Sequence, residues 1–163
     1  MSEEGVPAGL SRETTIRRDV EGRWWHDGEP VTNPGVARAF DRWVDVAEDG
    51  RFCLRNQVNW AYVEIEGPPV FVDRARPGPL AVELELSDGR TERLDPETLR
   101  SDSDGNLYCD VRDGRMTAGF RRRAMLDLVE SLDEGEGGVL LCLEQAVHPI
   151  PVVEDPLPPR GEA

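Results

Sequence analysis

Lysine is absent from this sequence. All 19 of its cations are arginines, set against 33 carboxylates, for a net charge of −14. A field of that sign repels nucleic-acid phosphates and anionic lipid, so those partners are excluded first. Long hydrophobic runs are missing too. The longest, "VLLCL" at 139–143, is far too short to span a bilayer, and the opening "MSEEGVPAGLSRETT" is acidic with no apolar centre, unlike a secretory signal. The expected location is the cytoplasm. Cysteine is sparse: Cys53, Cys109 and Cys142 are odd in number and widely spaced. Each sits in an apolar, strand-like run and reads as a buried reduced thiol. The two histidines, His26 and His148, share no metal-ligand spacing with one another or with the cysteines. "SDSDGN" at 101–106 has its glycine two places too early for a calcium loop and no glutamate at the twelfth position. Neither a metal nor a cofactor is expected.

What is present is punctuation. Asp-Gly steps at Asp27, Asp49, Asp88, Asp104 and Asp113 mark tight turns between short strand patterns. "LAVELEL" at 80–86 alternates, with Leu80, Val82, Leu84 and Leu86 on one face, and closes as a hairpin through "SDGR". "VNWAYVEIE" and "VFVDR", separated by Gly67-Pro68-Pro69, read as an antiparallel pair, and "RFCLR", "NLYCDV" and "VLLCL" complete the strands. Two segments carry a helical period. The first has Asn33 as cap, Pro34 at the first helical position, and Val36, Ala39, Phe40, Trp43 and Val44 on one face. The second runs from Thr117 through Phe120, Ala124, Met125, Leu128, Val129 and Leu132. Set side by side, "DGEPVTNPGVARAFDRWV" and "DGRMTAGFRRRAMLDLV" form a weak internal repeat. The expected organisation is an acidic disordered tail over 1–15, an N-terminal lobe over 16–79, a C-terminal lobe over 80–150 and a Pro-rich acidic tail over 151–163. The expected class is α+β, mainly antiparallel sheet with two principal helices, built as two repeated strand-turn-helix motifs.

Candidate site residues gather at two places. Trp24 and His26 fall on one face of a strand and Trp25 on the other, ahead of the turn at Asp27. Histidine is a common general base, yet no nucleophile signature or paired carboxylate accompanies His26, so strand and turn are the favoured reading and no catalytic residue is assigned. The run Arg121, Arg122, Arg123 is the dense positive spot of an acidic chain. Helix geometry lets at most two of the three address one partner, and internal ion pairing competes with an anionic ligand or acidic partner for them.

The order "GRWWHDG-P-V", "EDGRF-L", "VEIEGPPVFV" and "Y-DVRDGRMTAGFRRRAMLDLVE" resembles the bacterial domain-of-unknown-function 1285 (DUF1285) family along nearly the whole folded region. The resemblance implies an α+β fold with two repeated motifs and a role in signalling or regulation, with no catalytic residues to carry over. "GGVLLCLEQ" departs from the Trp-Ser-x-Gly-x-aromatic stretch expected near the end. Three functional classes follow. The first is a cytoplasmic regulatory or protein-interaction module using Trp25, His26, Asp27, Arg121 and Arg122. The second is an enzyme or binding protein for a small anionic metabolite, which requires His26 and an arginine in one concave pocket. The third is a homodimer through sheet edges.

Overall fold

The computed structural model describes residues 11–158, over which two helices and many short strands form an α+β fold dominated by antiparallel pairing. The chain divides into two compact units that part between Pro69 and Val70.

In the first unit, β1 (Arg17–Arg18) pairs antiparallel with β2 (Trp24–His26), which turns into β3 (Glu29–Pro30). The turn is Asp27–Gly28 with φ of 51° and 78°, the paired positive values of a tight hairpin. Next comes α1 (Pro34–Trp43), whose Asn33 cap accepts from the N–H of Gly35 and Val36 at 2.8 and 3.3 Å, as the sequence predicts. Val44, expected on the helix face, instead opens a strand. β4 (Val44–Val46), β5 (Phe52–Arg55) and β6 (Trp60–Tyr62) form an antiparallel meander in which Val44 lies opposite Leu54. A β-branched residue fits that ladder better than a last helical turn. β7 (Glu64–Ile65) then returns parallel to β1, giving the order β3-β2-β1-β7.

The second unit opens with β8 (Val70–Pro77), β9 (Val82–Leu86) and β10 (Thr91–Arg93), an antiparallel run. β11 (Arg100–Ser101), β12 (Leu107–Val111) and β13 (Met116–Phe120) follow, again antiparallel. β13 joins β8 in parallel to make one sheet of order β10-β9-β8-β13-β12-β11. α2 (Arg122–Leu128) and one 3₁₀ turn (Val129–Ser131) lead into a second meander, β14 (Leu132–Gly135), β15 (Gly138–Cys142) and β16 (Val147–Pro149). α2 has no side-chain cap, and is tied to β8 by Asp127, which accepts from Arg74 Nε at 2.8 Å and from the Ala75 N–H at 3.0 Å.

Several expectations give way to tertiary pairing. "VFVDR" does not pair with the segment before it: β8 bonds to β9 and β13, so residues 70–79 belong with the second unit. Thr117 and Phe120 lie in β13, buried between β8 and β12, and not in the helix. Phe120 and Thr117 stand four and seven residues before Ala124, spacings of one helix face, which is why the helical period extends backward in the sequence. Leu80 is exposed because a bond from the Gly78 N–H to the Ala81 carbonyl delays β9 until Val82. The tails are shorter than composition suggests. Arg12 is buried and donates to Trp60 O at 2.7 Å, and Thr14 donates to Tyr62 O at 2.6 Å. At the other end, Ser101 donates to Pro151 O and receives the Val153 N–H, while Arg100 holds Pro156 O at 2.6 Å. Main-chain bonding and buried arginines supply what apolar content lacks in these segments. The rest of the two expected tails, 1–10 and 159–163, lies outside the described residues.

The internal repeat is deeper in structure than in sequence. Each unit contains the same run of two hairpins (β1-β2-β3 in one, β11-β12-β13 in the other), helix and three-stranded meander, then a return parallel to the first strand of that run: β7 on β1, and a Val152–Ser101 bridge on β11; β8, β9 and β10 precede the run in the second unit. The loops between β1 and β2 and between β11 and β12 match bond for bond. Asp19 Oδ1 accepts from the Glu21 and Arg23 N–H, Asp102 Oδ1 from those of Asp104 and Asn106, and each loop contains a glycine, Gly22 or Gly105, at positive φ. Trp25 Nε1 then donates to Asp19 Oδ2, as Tyr108 OH does to Asp102 Oδ2. The two share a plan at low sequence identity because main-chain bonding in turns requires only an acceptor and a glycine.

Candidate functional site

The same plan is finished differently in the two units. In the first, Arg18 and Trp24 stand opposite one another across β1 and β2, both buried. They converge on α1: the Trp24 indole N–H and Arg18 Nη1 both donate to Asp41 Oδ1, at 2.9 and 3.2 Å. Phe40 meets Trp24 edge-on with ring centres 5.3 Å apart. This plug fills the space between hairpin and helix.

In the second unit the corresponding cross-strand pair is Ser101 and Leu107. Its helix offers Met125 and Leu126 and the 3₁₀ turn after it Val129, with no carboxylate among the side chains lining the space. Smaller residues without an ion pair leave an open cleft of about 390 Å³. Leu132 and Val139 from the meander and Ile150 and Val152 from the returning chain complete its walls. Arg122 is the one charged side chain of the lining. Leu126, Val129, Val139 and Val152 are all exposed, an apolar concentration that marks a binding surface more often than chance surface exposure. A volume in the range of about 300–1,000 Å³ with apolar walls and a few polar groups, here Arg122 and Ser101, is the ordinary form of a small-molecule site.

Of the five candidate site residues Trp25, His26, Asp27, Arg121 and Arg122, Arg122 alone lines this cleft. Arg121 stands at the N-cap position of α2 with its side chain turned elsewhere: it pairs with Asp73 at 2.9 Å and lies 4.5 Å over the Phe71 ring, so much of its charge is used internally. Trp25, His26 and Asp27 belong to the first unit. Trp25 is half-buried, with Arg17 4.9 Å above its ring and its N–H held by Asp19 at 3.0 Å. Burial opposes ionisation of Asp19, but the Trp25 indole and the Arg23 and Glu21 bonds outweigh it and hold the carboxyl at about 2. Asp27 supplies the turn and accepts from Thr15 Oγ1 at 2.5 Å. His26 is exposed, and its Nε2 stands 3.6 Å from Asp27 Oδ2. Sequence reasoning missed the cleft because Met125 and Val129 read as core positions of an amphipathic helix. Only the comparison of Trp24 with Leu107 through the repeat could have flagged a vacancy.

Among the described residues, no hydroxyl or thiol bonds to either histidine, and no cluster of three His, Cys, Asp or Glu could hold a metal ion. Cys53 and Cys109 are buried free thiols whose ionisation burial disfavours, and Cys142 is half-buried and free. No described helix is long and apolar enough to cross a membrane. No protein-family model matches the chain, and no curated protein matches it in sequence. Two solved structures do match it in shape. A DUF1285 family protein from Silicibacter pomeroyi DSS-3 superimposes with a TM-score of 0.66 at 18% identity, over 94% of this chain and 91% of its own. A second DUF1285 family protein, from Shewanella baltica OS155, gives 0.56 at 16% identity, over 74% of this chain and 94% of its own. The chain therefore carries the fold of the DUF1285 proteins, the same family that its sequence order resembles.

Proposed function

We propose that this chain is a DUF1285-family regulatory module that works by binding, not by catalysis, and that its ligand site is the cleft of the second unit. The observation that carries the reading is the open apolar space left where the first unit is plugged by Arg18, Trp24 and Asp41. Two further features support it. Among the described residues neither histidine is bonded to a hydroxyl or thiol, and the two buried cysteines are disfavoured as thiolates, which a nucleophilic enzyme would need. The test is titration with the neutral fluorophore N-phenyl-1-naphthylamine. Saturable one-to-one binding, abolished by Leu126→Glu at the cleft mouth in a variant with parental circular dichroism, is the expected result. Absence of saturable binding refutes the reading.

A second reading, a protein partner that contacts Trp25, His26 and Asp27 in the first unit and Arg121 and Arg122 in the second, is favoured by the exposure of His26 and of the arginines. It predicts a defined partner captured by the parent and lost from a folded Trp25→Ser, Arg121→Ser, Arg122→Ser variant.

A further inference from the structure

The geometry points to a single-chain alkyl carboxylate as the occupant of the second unit's cleft, its chain among the apolar walls and its head on Arg122. This rests on the reading of that cleft as the binding site and names its ligand class. Size is the first argument. At about 390 Å³ the cleft lies near the lower end of small-molecule sites, with room for one alkyl chain and not for a two-chain lipid. Wall chemistry is the second. Leu107, Met125, Leu126, Val129 and Val139 offer no hydrogen bond, so a polar metabolite would lose its hydration there without compensation.

Charge is the third argument. Arg122 makes no ion pair or side-chain hydrogen bond among the described residues, in a chain with 33 acidic side chains available, while the adjacent Arg121 is paired with Asp73. An anion approaching a molecule of net charge −14 needs a local cation to be held, and a guanidinium can take a carboxylate through two bonds. A neutral apolar ligand or an uncharged peptide would leave that cation without use. The head group is therefore anionic and the body hydrocarbon.

The test is displacement of N-phenyl-1-naphthylamine from the full chain by octanoate, decanoate and dodecanoate, each against the alcohol of equal length. The expected result is a Kd that tightens about fourfold per methylene until the cleft is full. Each acid should bind more tightly than its alcohol, and Arg122→Gln should weaken the acids by about fivefold while leaving the alcohols unchanged. Leu107→Trp, which restores the first unit's residue at the vacated position, should exclude probe and acids alike. Because that variant could fail to fold, Leu126→Glu, altered at an exposed position, serves as the second block. If the probe binds and acids and alcohols compete equally in parent and Arg122→Gln, the carboxylate assignment is overturned and the binding-module reading stands. Failure of the probe to bind overturns both. Sedimentation that shows a dimer covering the cleft, with acids competing only at dissociating dilution, would replace the ligand by a second copy.

Discussion

Replacing Arg100 by methionine tests how the second unit holds its returning chain, and with it one wall of the cleft. Arg100 is almost wholly buried. Its guanidinium donates to Pro156 O through Nε and Nη2 at 2.9 and 2.6 Å, to Thr98 O and Asp110 Oδ1 at 2.8 Å each, and to Pro158 O at 3.0 Å. The Asp110 carboxylate it meets is also buried, with 2% of its side chain exposed. Methionine fills most of the same volume, so packing loss is small and removal of the guanidinium from the buried carboxylate dominates. Removing one partner of a buried ion pair costs about 3–5 kcal/mol. The carbonyls of the 151–158 segment add less, because that segment can leave the surface and bond to water. Against a stability of about 5–15 kcal/mol this is a large fraction. Urea unfolding followed by far-ultraviolet circular dichroism measures it; tryptophan emission is the wrong probe, since Trp24, Trp25, Trp43 and Trp60 all precede Val70. Adding Asp110→Asn should recover about half of the loss by removing the buried negative charge that Arg100 faced. Amide exchange over 151–158 should quicken in both variants. A loss below about 1 kcal/mol, or unchanged exchange in that segment, would refute the account of Arg100 as the clamp.

Other consequences can be measured with single substitutions. Asn33→Ala removes the acceptor for two N–H groups of α1 and should cost about 1 kcal/mol, while Asn33→Ser should restore most of it. Asp19 titrates near 2 when folded against 3.8 as the ordinary value, so its contribution is complete above about pH 4 and is lost as pH falls toward 2. The parent should lose about 1–2 kcal/mol across that window that Asp19→Asn does not, read as the difference in urea midpoints. Cys53 and Cys109, buried and disfavoured as thiolates, should react with a disulfide reagent only after unfolding by urea, and rapid native reaction at Cys109 would contradict its burial. Arg74→Gln should loosen α2 from β8 and weaken probe binding in the cleft, because Asp127 loses its two bonds from that guanidinium.

Local chemistry was legible from the residues alone. Glycines 28, 50, 89, 105 and 114, after the five turn-forming aspartates, all take positive φ, and Asn33-Pro34 opens a helix as its side chains dictate. These features need only neighbouring atoms, so sequence determines them. The α+β class, the repeat and the alternation of Val82, Leu84 and Leu86 were likewise readable, since periodicity is a local record of which face is buried. Long-range pairing was not. Whether "VFVDR" joins the segment before it or β13 depends on a parallel partner some fifty residues away, and β13 itself reads as helix until β8 and β12 enclose it. Nor could residue type alone show that Ser101 and Leu107 occupy the place of Arg18 and Trp24. A vacancy is a property of what surrounds it. The sequence determined the repeated plan, and only the tertiary structure decided which copy was left open.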